Sequence, residues 1–168
     1  MRTKKIATLA MFTVIALTIH VVESAIPLPI PLPGIKLGLA NVVTLFLLCC
    51  FSPKDAFLVL LARILLSAIF AGQVLSLLYS LVGGLCCFGV ILLLNRVLNG
   101  HFLPIISIFG ALFHNLGQLA VAFCLTRTAG ILAYLPFLIL SGTVTGLFTG
   151  LCAHYARRLL LPYLQRQV

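Results

Sequence analysis

The chain has 168 residues, 62% of them hydrophobic and only 8% charged, with a formal net charge of +9 and a mean hydropathy of +1.26. A soluble domain carries about 25% charged residues, whereas a bilayer-spanning helix needs about 20 mainly apolar ones. The composition therefore excludes an ordinary soluble domain and fits one membrane domain over residues 1–168. The lysines and arginines lie mainly between apolar segments, where they set orientation, so the positive charge does not point to nucleic acid.

Read in order, the chain divides into six apolar segments, at about 6–25, 35–51, 55–72, 74–94, 105–125 and 131–155. The first follows the basic start MRTKK; its length and Glu23, which spoils a small-residue cleavage site, favour an uncleaved span over a signal peptide. Between the first and second segments lies IPLPIPLPG, with Pro27, Pro29, Pro31 and Pro33 on alternate positions. Each ring fixes φ and removes a donor, and each preceding residue is pushed out of the helical region. Ile26 to Pro33 should form an extended rod, roughly 25 Å long at about 3.1 Å per residue. Its intervening Leu28, Ile30 and Leu32 suit a rod lying on protein or in the membrane interface.

The third segment starts at Asp55, placed as a helix cap. Asn95 to Pro104 and Thr126 to Gly130 read as turns. The sixth segment has Gly142, Gly146 and Gly150 on one face, a surface for close helix approach. Ala7, Ala10 and Ala16 give the first segment a looser small face, read as internal packing or a subunit contact. Six spans place Arg2, Lys4, Lys5, Lys54, Arg96, Arg157, Arg158 and Arg166 on the side of the termini, and only Lys36 and Arg127 opposite. That bias makes both termini cytoplasmic in a multi-pass cell-membrane protein.

Polar side chains inside apolar segments carry the functional information. Arg63 falls roughly 12 Å into the third segment at 1.5 Å per residue. It either pairs with Glu23 or binds an anionic group. His114, Asn115 and Gln118 crowd one side of the fifth segment, for interhelical hydrogen bonding or for a ligand. Asn41, Gln73, Tyr79 and Ser80 fall in the outer half, and Tyr134 near its mouth. The candidate substrate-binding set is Arg63, His114, Asn115, Gln118, Asn41, Tyr79 and Glu23. Gly83 and Gly84 read as packing positions. The six cysteines show no C-x-x-C spacing and read as small packing residues.

No catalytic residues, metal site or cofactor are indicated. Two carboxylates assigned to opposite sides of the membrane cannot gather Mg²⁺, and no G-x-x-x-x-G-K phosphate loop occurs.

IPLPIPLPGIKLGLANVVTLF (26–46), ARILLSAIFAG (62–72), SLLYSLVGGL (76–85), HNLGQL (114–119) and YLPFLILSGTVTGLFTG (134–150) together resemble the heptaprenyl diphosphate synthase component I family, also called the Gx transporter family. That family is similar to the substrate-binding S components of energy-coupling factor (ECF) transporters. The resemblance implies an all-α, six-helix membrane bundle with an outward site under the first external loop. It implies a small-molecule substrate, a coupling subunit and ATPases as partners, and contact with membrane lipid. The enzyme label implies instead a non-catalytic membrane partner in heptaprenyl diphosphate and menaquinone isoprenoid synthesis.

Overall fold

A computed structural model describes residues 2–26, 36–71 and 74–164. The rod expected over 26–33 falls outside them, Ile26 apart, and so does Gln73. The described chain is helical: α1 (Arg2–Ser24), α2 (Asn41–Cys50), α3 (Pro53–Ala71), α4 (Val74–Val97), α5 (Leu103–Thr126), a 3₁₀ turn (Ala129–Tyr134) and α6 (Leu135–Leu164).

Six helices correspond to the six expected segments, but they are not six equal spans. Among the described residues, four stretches are long and apolar enough to cross a membrane: Thr3–Ser24, Val74–Val97, Leu103–Thr126 and Ala129–Tyr163. α3 has 19 residues and carries Lys54, Asp55 and Arg63. α2 has ten residues, about 15 Å of helix against a hydrocarbon layer of about 30 Å. The expected second segment, 35–51, is shortened because Gly38 adopts φ +81°, which ends any helical run through it. The chain turns before entering α2 at Asn41.

α2 is the centre of the bundle and touches α1, α3, α4, α5 and α6. Leu45 and Leu47, about 200° apart around the helix, are both fully buried. A helix apolar on all sides belongs in a core. Phe46 stacks obliquely on Phe12 of α1 at 5.2 Å between ring centroids, and Val59, Ile91, Ile106 and Ala153 close the same apolar cluster from α3 to α6.

The glycine face of α6 meets α5. A Cβ on Gly146 would stand 2.6 Å from Ile108 Cα, and one on Gly150 2.5 Å from Pro104 Cα. Backbone thus approaches backbone, and Ser107 and Thr149 hydrogen-bond across the same seam at 2.8 Å. On the outside, Ile69, Phe70, Val74, Leu140 and Leu159 are each about two-thirds exposed or more. An apolar exterior around a polar-spotted interior is what a lipid solvent selects.

Two expectations are corrected. Ala16 is buried while Ala7 and Ala10 are exposed, since nine residues at 100° put Ala16 opposite Ala7. These alanines form no single face. At the start of α3, Ser52 rather than Asp55 is the cap. Its Oγ accepts from the Asp55 N–H at 3.3 Å, while its own N–H and hydroxyl donate to Asp55 Oδ2 at 3.2 and 2.7 Å. This is a reciprocal capping box, with Pro53 at the first helical position. Lys5 joins it through a 2.8 Å ion pair, tying the start of α1 to the start of α3. Ser52→Ala is expected to cost about 1 kcal/mol, read as a lower unfolding midpoint in detergent; an unchanged midpoint would show that α3 does not depend on this cap.

Candidate functional site

The end of α1, the 36–40 turn, the N-terminus of α2, the middle of α3 and the middle of α5 converge on one buried cluster of polar side chains, the chamber. α1 contributes His20 and Glu23, both 4% exposed, and Ser24; spacings of three and four residues put them on one face. Lys36 Nζ donates to His20 Nε2 at 2.7 Å and to Ser24 Oγ at 2.8 Å. The Glu23 carboxylate accepts from the Gly38 N–H. Gly38 is required here twice over. Its φ is positive, and a Cβ would meet His114 Cδ2 at 2.8 Å and Asn41 Nδ2 at 2.9 Å.

α5 supplies a fixed hydrogen-bond chain. The Lys36 N–H donates to Gln118 Oε1 at 3.2 Å, which turns the Gln118 amide nitrogen toward His114 Nε2, 3.1 Å away. That nitrogen can only donate, so His114 Nε2 accepts and a neutral ring carries its proton on Nδ1. Nδ1 lies against Gly83 of α4, where an added Cβ would come within 2.9 Å. Gly83 is therefore a site-shaping position as well as a packing one.

Arg63 of α3 is 3% exposed. Its Nη2 donates to Asn41 Oδ1 at 3.2 Å, while Nε finds no acceptor among the described residues, and neither does Asn41 Nδ2 find a partner. Of the two alternatives for Arg63, the ion pair with Glu23 is not formed: Lys5–Asp55 is the salt bridge among the described residues. Arg63 and Lys36 against Glu23 leave one net positive charge in the chamber. The N-terminal dipole of α2 adds positive potential, although its first N–H groups are already used in turns to Gly38, Leu39 and Ala40.

The chamber thus gathers Arg63, Asn41, Glu23, His114 and Gln118. Asn115 and Tyr79 are elsewhere. Asn115 Nδ2 donates to the Leu138 carbonyl at 2.8 Å, joining α5 to α6. Tyr79 packs with Leu119, Ala122, Ile131 and Leu138, beside Tyr134, in a separate apolar cluster. His20 and Lys36 belong to the chamber but were not among the sequence candidates; the His20–Glu23 spacing was the available signal. No three His, Cys, Asp or Glu side chains come together as a metal site among the described residues.

Long apolar helices, a lipid-compatible exterior and a buried cationic chamber define a membrane-type helical bundle. The family model described as heptaprenyl diphosphate synthase component I matches residues 12–156, and the chain belongs to that family. No curated protein and no solved structure matches it.

Proposed function

We propose that this protein is a membrane subunit that captures a small anionic or amphipathic molecule from the outer side of the membrane, with both termini cytoplasmic. The observation that carries this reading is Arg63: a buried guanidinium with one long bond to a neutral amide and no carboxylate partner among the described residues. A buried charge left in that state is costly. An anionic group beside Arg63 and Asn41 would supply the missing acceptor. Arg63 neutralises the ligand's charge, Asn41 hydrogen-bonds it through its unpartnered amide nitrogen, the His114–Gln118 pair anchors the Lys36 backbone, and Lys36 and Glu23 hold the 36–40 turn over it. Transport is the reading's consequence: the ligand is passed on through a coupling subunit driven by ATPases, as an S component would do.

The family description favours a second reading, a non-catalytic membrane component working with a soluble heptaprenyl diphosphate synthase subunit. Purification in mild detergent separates the two. Native mass spectrometry is expected to show one small molecule bound per chain, and co-purification of ATPases supports transport. Co-purification of an aspartate-rich synthase, with no small molecule retained, would replace the first reading by the second.

A further inference from the structure

The opposite end of the bundle holds a cationic cavity. It opens between the α4–α5 turn and the last turns of α6, has a volume of about 350 Å³, and is walled by His101, Phe102, His154, Arg157, Arg158 and Leu161 among others. That volume falls within the roughly 300–1,000 Å³ of small-molecule sites. Its position, on the end of the bundle that also carries the Lys5–Asp55 pair, separates it from the Arg63 chamber.

Three features make it more than a basic edge. Arg157 is anchored at one nitrogen: its Nη1 donates to the Gly100 carbonyl at 3.0 Å, leaving other N–H donors free of described acceptors. The turn that receives it is unusual. Asn99, Gly100 and Phe102 all have positive φ, at 49°, 71° and 58°, and a left-handed phenylalanine is an outlier that surrounding structure must hold in place. Finally, no side-chain carboxylate neutralises the arginines. The chain's two acids are Glu23 and Asp55; the first faces Gly38 and the second is paired with Lys5. Arg158 meets no described acceptor at all. Phe102 and Leu161 add an apolar side to the wall.

We infer that this cavity binds a phosphate or diphosphate group, with Arg157 and Arg158 as a guanidinium clamp and His101 and His154 as further donors. Planar guanidinium forks match phosphate oxygens in pairs. The group can come from a soluble diphosphate or from the head of an anionic lipid whose tail runs along Phe102 and Leu161. This assignment does not rest on the transport reading, which concerns the other end of the molecule.

The test uses the full chain in phosphatidylcholine nanodiscs. Titration with inorganic pyrophosphate probes the soluble source, and nanodiscs doped with phosphatidic acid, followed by native mass spectrometry, probe the lipid source. One or both should bind at one per chain. Arg158→Gln and, separately, His154→Gln are expected to weaken that binding, Arg158→Gln roughly tenfold or more. Arg96→Gln removes an exposed charge outside the cavity wall and should change nothing. Binding of pyrophosphate alone assigns the soluble source, of phosphatidic acid alone the lipid source. Failure of both to bind, equal binding by the two cavity variants, or an equal loss in Arg96→Gln would overturn the inference.

Discussion

If Arg63 binds the proposed ligand, Arg63→Met is expected to abolish its retention without unfolding the protein. Losing one partner of a buried, charged hydrogen bond costs about 2 kcal/mol or more, so retention of the bound molecule should fall by roughly 30-fold or more. Stability should move the other way or stay put. Arg63 in the empty protein is a buried cation with a single amide partner among the described residues, and replacing such a charge with an apolar side chain of similar reach is commonly neutral or stabilising. The two readouts therefore separate. A ligand-binding arginine gives lost retention with an unchanged or raised unfolding midpoint. A lowered midpoint with full retention would show Arg63 to be a structural link between α2 and α3, and the functional reading would fall.

Gly146→Leu is expected to be the most damaging single change to the fold. The seam between α5 and α6 has backbone on both sides: a Cβ at Gly146 already meets Ile108 Cα at 2.6 Å and Ile108 N at 3.0 Å. No flexible side chain can yield there, so the helices must part. Overpacking typically costs 1–3 kcal/mol, and a four-carbon side chain against backbone should cost about 3 kcal/mol or more. Parting the helices would also break the Ser107–Thr149 bond. The expected result is aggregation on solubilisation, seen by size-exclusion chromatography. Gly89→Ala is the control, since nothing lies within 4 Å of a Cβ at that position. Normal elution of Gly146→Leu would mean that the seam is loose and the glycine face has another purpose.

Much of this architecture was readable in the residues. Hydropathy and the breaks at Ser52-Pro53, Asn95–Pro104 and Thr126–Gly130 located all six helices. The Gly142–Gly146–Gly150 face announced its own close packing. Arg63, His114 and Gln118 stood out because polar side chains are rare and costly inside an apolar segment. What failed was rotation and length. Asn115 is adjacent to His114, yet 100° of helical turn sends its amide to Leu138 rather than into the chamber. Tyr79 lies at a suitable depth but is taken up by an apolar cluster. Hydropathy alone cannot phase a helix that is apolar all round, so neither outcome was visible. The shortness of α2 depended on the backbone angle of Gly38, which composition does not report. His20 was overlooked because its link to Lys36 runs across a turn that no sequence spacing reports.

That ten-residue central helix bears on how the protein is made. About 15 Å of α-helix is too little for a nascent chain to leave stranded across a bilayer by itself, whatever its greasiness. α2 must be threaded into place by neighbours that emerge from the ribosome after it, α6 included. The polar cluster at its tip draws on α1, α2, α3 and α5, so it is complete only once α5 has followed them out of the ribosome.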